Sequence, residues 1–214
     1  MYPFHRLALA PLIAANPRQA LQGVRDELQR TDEKPFLSFL LENGLAPLWY
    51  ETLRKGDNTA LLSPAGLEEL HRAHMVTAAT YLRQQHTLLN ITDVFESASI
   101  AHAVFKGAHV RELIYPNPAV RSACDIDILV AREDRIRAIK ALLGAGFTFH
   151  PEATNISHEG HLTDGNAALD LHWDILRPGR TRINLTDRFL AERKKFPGHW
   201  GLGNEAMLFI MLVH

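Results

Sequence analysis

The stretch Cys124-Asp125-Ile126-Asp127-Ile128-Leu129-Val130 is short, rich in β-branched residues and apolar except at two alternating positions. This is how a strand near the middle of a sheet is written. Side chains alternate along a strand, so Asp125 and Asp127 point to one face, about 6.6 Å apart along the chain. With 24 acidic residues in the chain, about two or three such acid-x-acid pairs arise by chance, and the spacing alone carries no weight. The apolar setting carries it. Two carboxylates removed from water repel each other and lose hydration, and a divalent cation is the simplest compensation. A solvated edge strand or a pair of salt-bridged acids is the plain alternative.

A second strand candidate, Ala167-Ala168-Leu169-Asp170-Leu171-His172-Trp173, repeats the pattern. Asp170 and His172 share one face, and Leu169, Leu171 and Trp173 share the other. Three carboxylates on neighbouring strands make a site for two-metal phosphoryl or nucleotidyl transfer, in which one acid activates the attacking hydroxyl. Phe105-Lys106-Gly107-Ala108 supplies a phosphate cradle at a strand-to-helix junction, where Gly lets backbone approach phosphate, the helix start offers N–H groups, and Lys106 adds positive charge.

Outward from these strands the texture alternates. Ile100 to Phe105, Phe147 to Phe149 and His158 to Leu162 read as strands, and Ile136 to Leu143 as a helix ended by Gly144 and Gly146. Strands interleaved with helices predict an α/β unit over residues 99–176. Residues 1–98 read as a helical region: Asn16-Pro17 opens a helix carrying Leu21, Val24 and Leu28, Phe36 to Glu42 stops at Asn43-Gly44, and Leu48 to Arg54 runs to Gly56. Ser63-Pro64 opens one long helix to about Ser97, with Leu67, Leu70, Ala73, Thr77, Tyr81, Leu82, Leu88, Leu89, Thr92 and Phe95 on its apolar stripe. After Pro178-Gly179 the chain returns to helix, and the last, after Asn204, stops mid-stripe. Residues 177–214 are therefore expected to be a truncated C-terminal segment.

Composition narrows the function classes. The 23 basic and 24 acidic residues nearly cancel, leaving no overall field to gather polyanions and disfavouring long nucleic acid as a partner. The apolar runs are about half the roughly 20 residues a membrane helix needs, and the single cysteine, Cys124, fits a reducing, cytoplasmic setting. Cys124 alternates away from Asp125, which argues against a nucleophilic role. The pairs His71/His74 and His158/His161 lack a fixed third ligand for zinc.

The ordered set Lys106-Gly107, Tyr115-Pro116, Arg121, Asp125-Ile-Asp127-Ile-Leu129-Val130, Gly146-Phe147 and Leu169-Asp170-Leu171-His172-Trp173 resembles the uncharacterised nucleotidyltransferase family of the DNA polymerase beta-like superfamily, over roughly residues 35 to 214. The resemblance implies a polymerase-beta-like mixed sheet with flanking helices, an α/β (α+β) fold beside the N-terminal helical region. It implies transfer of a nucleoside monophosphate from a nucleoside triphosphate such as ATP to a hydroxyl acceptor, with release of pyrophosphate, using Mg2+ or alternatively Mn2+. By position, Asp125, Asp127 and Asp170 would be the catalytic and metal-binding carboxylates, with Asp170 as base. Lys106 and Gly107 would face the triphosphate.

Two departures from the wider superfamily stand out. Its usual Gly-Gly or Gly-Ser is Gly107-Ala108 here, and the gap to the first aspartate is long. Arg121 could supplement the phosphate grip through a bidentate contact or form a structural ion pair, and His172 could touch the nucleotide or simply orient Asp170. The acceptor stays open among small molecules, peptide or protein hydroxyls, sugars and RNA ends. A catalytically silent nucleotide- or partner-binding module of the same fold is the alternative, and a metal-dependent phosphohydrolase a third reading. The catalytic reading needs all three acids to converge, with none already neutralised by arginine or lysine.

Overall fold

In the computed structural model of the chain, residues 4–14, 16–150, 159–176 and 183–213 are described. The expected histidine at 158 and the break at Pro178-Gly179 lie outside them. The helical expectation for the first hundred residues holds: α1 (Phe4–Ile13), α2 (Pro17–Leu28), α3 (Lys34–Glu42), α4 (Ala46–Lys55) and α5 (Pro64–Ser97) follow in order. Asn16 caps α2, its side chain accepting from the Gln19 amide at 3.3 Å, and Ser63 Oγ accepts from the Gly66 amide at 3.0 Å to cap α5. None of these helices is long and apolar enough to cross a membrane, nor is any other among the described residues.

The chain divides into two compact units, residues 1–79 with 119–122, and residues 80–118 with 123–214. The border at 79/80 lies inside α5, whereas the sequence suggests a division after that helix at 98/99. In the first unit, Phe36, Leu40, Trp49, Leu53 and Leu70 are fully buried. Trp49 meets Phe36 edge-on at 5.2 Å, and its indole N–H donates to the Ala8 carbonyl at 2.9 Å, so the largest apolar side chain is sunk without stranding its one donor.

The second unit is built on a sheet whose strands, in spatial order, are β3 (Thr148–His150), β4 (Glu159–Thr163), β5 (Ala168–His172), β2 (Asp125–Val130), β1 (His102–Phe105), β7 (His199–Gly201) and β6 (Lys194–Phe196). β2 runs parallel to β5 and antiparallel to β1. One face, carrying Ile126, Ile128, Val130, Leu169 and Leu171, packs on Leu88, Ile91 and Phe95 of α5 and on Ala138 and Leu142 of α7 (Arg135–Gly144). The other face carries Ala103, Phe105 and Leu129 against α8 (Leu185–Ala191) and α9 (Asn204–Val213). Both faces being covered explains why β2 reads as a near-continuous apolar run. The two aspartates interrupt the second face.

Two expectations are corrected. The chain after the α/β unit is not all helix: β6 and β7 form a hairpin through Pro197-Gly198, with Gly198 at φ +83. A Pro-Gly pair is a turn signal, but three-residue flanks are too short to show alternation. Along α5, Leu82 and Leu89 are 67% and 50% exposed, so the apolar stripe omits them. Gln84 is buried in their stead, its amide donating to the Ala123 carbonyl at 2.9 Å and its oxygen accepting from Arg111 of α6 (Lys106–Ile114) at 2.6 Å.

A histidine pair fastens the hairpin to α6. His109 Nε2 lies 2.9 Å from the Leu202 carbonyl and must carry its proton there, which leaves Nδ1 to accept from His199 Nε2 at 3.0 Å. Burial pushes His199 down to about 4, helped by the neighbouring His109 and Arg111, and burial also lowers His109 and His102. The unfolded chain therefore binds more protons than the folded one between about pH 6.5 and 4, and stability falls on acidification. Denaturant titrations at stepped pH are expected to lose up to about 1.4 kcal/mol per pH unit from His199 over this window. His199→Gln is expected to flatten that slope, and an unchanged slope would remove His199 as its source.

Candidate active site

Register brings the functional side chains into rows. β2 pairs with β5 so that Asp127 lies opposite Asp170, and β4 pairs with β5 so that His161 lies opposite Asp170 and Glu159 opposite His172. On the other flank Asp127 lies opposite Phe105. Paired residues point to the same face. His161, Asp170 and Asp127 thus form one row, and Glu159, His172 and Leu129 the next.

Asp127 is the centre. Only 3% exposed, its Oδ1 accepts from Lys106 Nζ at 2.7 Å and from His172 Nε2 at 3.0 Å. Burial alone would raise this carboxyl, but the bonds from His172 and Lys106 outweigh it and hold it below the ordinary aspartate value. Asp125, half-buried one step along β2, is raised instead, first by burial and then by the charges of Asp127 and Asp170.

His172 is fully buried, and its Nδ1 lies 3.0 Å from Glu159 Oε2. Its ring meets Phe105 edge-on at 4.9 Å. Asp170 accepts from His161 Nδ1 at 2.5 Å.

Among the described residues, Asp127, Asp170 and His172 form a group that could hold a metal ion, with one ligand atom from each within 4.8 Å of the others. Asp125 stands outside this trio, and the third member is the histidine. Lys106 occupies the left-handed region at φ +54 where β1 turns into α6, a conformation costly for a residue with a Cβ and found where function holds it. The adjoining Gly107 has no positive φ, and a Cβ there would meet Ala123 at an ordinary 3.4 Å. The strained member of the expected cradle is therefore the lysine, and its ammonium sits on Asp127. The condition that none of the acids be neutralised by lysine is not met, so a catalytic reading requires that Lys106 leave Asp127 when substrate binds. Arg121 belongs to the other compact unit, where its Nη1 donates to the Ser122 carbonyl at 2.5 Å.

Glu159 escaped sequence reasoning, and His161 enters it only as half of a zinc pair, not as a partner of Asp170. They alternate along β4 around Gly160, yet only the antiparallel register against β5 reveals that they back His172 and Asp170. Of the histidine pairs weighed for zinc, His71 stacks on Tyr50 and lies 3.7 Å from Glu68, and His161 serves Asp170. Cys124 is exposed.

No curated protein matches the chain. The sequence profile of one family, described as uncharacterised nucleotidyltransferase, matches residues 29–214, a span that holds the whole sheet with both aspartate strands, Lys106 and the strand backing His172. The chain belongs to the uncharacterised nucleotidyltransferase family.

Proposed function

We propose that the protein is a metal-dependent nucleotidyltransferase that moves a nucleoside monophosphate from a nucleoside triphosphate to a hydroxyl acceptor and releases pyrophosphate. The observation that carries this is the apposition of Asp127 and Asp170 on adjacent parallel strands with His172 beside them, in a chain of this family. The donor set suits a divalent cation: two carboxylates and an imidazole, each held by a neighbour. Asp127, Asp170 and His172 would hold it, with Asp125 the next carboxylate along the strand, and a cation bound there supplies positive charge to phosphate oxygens.

The protein's own groups account for the remaining steps. Asp170 takes the proton from the acceptor hydroxyl as its oxygen bonds to the α-phosphorus and the bond to the β-phosphate oxygen breaks. Pyrophosphate leaves with that electron pair. His161, bonded to Asp170, keeps the carboxylate turned toward the acceptor. Lys106, 30% exposed on a flexible stem, can leave Asp127 for a triphosphate oxygen, with Gly107 and the start of α6 beneath it. The acceptor is proposed to be a small molecule, peptide or protein hydroxyl, since near-neutral net charge offers no field for long nucleic acid. The cytoplasm is the proposed setting.

The Lys106–Asp127 pair also supports a second reading, a silent nucleotide- or partner-binding module whose acid is permanently neutralised. Incubating the full chain with each nucleoside triphosphate, Mg2+ or Mn2+ and a panel of hydroxyl acceptors separates the two. Pyrophosphate release dependent on an acceptor supports the enzyme; triphosphate binding without pyrophosphate on any acceptor supports the module, and orthophosphate release would point to a hydrolase.

Lys106→Met adds a second discriminator. It is expected to raise the triphosphate KM about tenfold, the loss of one charge-assisted bond of about 1.5 kcal/mol, while tightening Mn2+ binding severalfold when no nucleotide is present. Tighter Mn2+ with unchanged nucleotide affinity would leave Lys106 as a plain counter-charge.

A further inference from the structure

The trio Asp127, Asp170 and His172 differs from an all-carboxylate site in one respect: its third donor is a nitrogen. Carboxylate sites suit Mg2+ and Mn2+ alike, whereas an added imidazole shifts preference from Mg2+ toward first-row transition cations, Mn2+ the least strongly among them. Three observations bear on whether His172 can serve as that donor. Its Nε2 stands 3.0 Å from Asp127 Oδ1, and two donors bound at about 2.1 Å and at right angles to each other lie about 3.0 Å apart; the proton that Nε2 gives to Asp127 leaves for solvent when a cation takes its place. Its Nδ1 stands 3.0 Å from Glu159 Oε2, within reach of the carboxylate–imidazole arrangement that fixes ring orientation and tautomer in metal-ligating histidines. The ring is fully buried and held edge-on to Phe105, so little conformational freedom remains to be lost on binding.

We infer that this site takes a first-row transition cation, read out here with Mn2+, in preference to Mg2+, through direct ligation by His172 Nε2, and that Glu159 is the positioning residue that holds the ring. The inference rests on the reading of Asp127 and Asp170 as metal carboxylates and deepens it by naming the cation class. Because β4 supplies Glu159, cation choice is set partly by a strand that carries none of the three ligands.

The test uses the full chain with Mn2+ as the probe. Electron spin echo modulation of bound Mn2+ is expected to show coupling to one directly ligated 14N. That signal is expected to become a 15N pattern in protein grown with 15N-histidine, a comparison that needs no substitution at a buried residue. His161→Asn is expected to keep the coupling, and His172→Asn to lose it.

Glu159→Gln, at a side chain 24% exposed, is expected to weaken Mn2+ binding about tenfold with little change in Mg2+ binding. His172→Asn is expected to collapse the Mn2+-over-Mg2+ preference. Mn2+ bound without nitrogen coupling, or a coupling that survives His172→Asn, overturns the inference while leaving the carboxylate site and nucleotidyl transfer standing. Failure of Mn2+ to bind at all overturns it together with the metal site. Absence of pyrophosphate release with the nitrogen coupling intact removes the transferase reading alone.

Discussion

Asp127→Asn is expected to lower acceptor-dependent pyrophosphate release by about a thousandfold or more, because a cation held by this carboxylate contributes several kcal/mol to stabilising transferred phosphate. Nucleotide binding should survive in part, since Lys106 and the start of α6 remain. From the strand alone, the same substitution would be expected to stabilise the protein by relieving repulsion from Asp125. The tertiary structure reverses that sign. Asp127 already accepts from Lys106 and His172, and its carboxyl is held below the ordinary value, so the charged form is the stabilised one. Asn replaces two charge-assisted bonds with weaker ones, most costly at the fully buried His172, while the partly exposed Lys106 recovers hydration. A loss of about 2 kcal/mol is expected in denaturant titration. Full activity in this variant would sink the catalytic assignment, and a gain in stability would sink the account of its compensation.

Gly201→Ala is expected to destabilise the protein strongly. A Cβ at this position on β7 would sit 2.1 Å from His109 Cε1 and 2.6 Å from Nδ1. Neither side can move aside easily: the ring is pinned between the Leu202 carbonyl and His199, and the strand is paired to β1 through Val104. Moving the ring strands two buried groups, and moving the strand disturbs the attachment of the hairpin. Overpacking costs about 1–3 kcal/mol, and each buried group left unpaired about 1–3 kcal/mol more. A loss of at least about 3 kcal/mol and a Tm lower by about 10 °C are expected, measurable by calorimetry. A Tm within about 2 °C of the parent would mean that His109 is free to swing away, and the histidine clasp would have to be abandoned.

Much of the second unit is legible in the sequence. Period-2 alternation put Asp125 with Asp127 and Asp170 with His172 on shared faces, and each strand that was read lies within two residues of its observed limits where it is described. Helix starts were legible because Asn16 and Ser63 announce them chemically. The β6–β7 hairpin was missed because its strands are three residues long, below the length at which alternation differs from chance. Leu82 and Leu89 were misassigned because a stripe can be traced through a long helix along more than one line, and only the partner surface selects which.

The residues themselves determined the alphabet of the site: two short apolar strands bearing acids, a lysine where a strand becomes a helix, and one face for each set. Those follow from backbone periodicity, a local property. Which of these residues meet was decided only by the sheet. The parallel register of β2 and β5 put Asp127 across from Asp170, the antiparallel register of β4 put Glu159 behind His172, and the left-handed turn at Lys106 laid its ammonium on Asp127. Register is a relation between segments far apart in the chain, chosen by the summed packing of both sheet faces, and no periodicity within one segment encodes it.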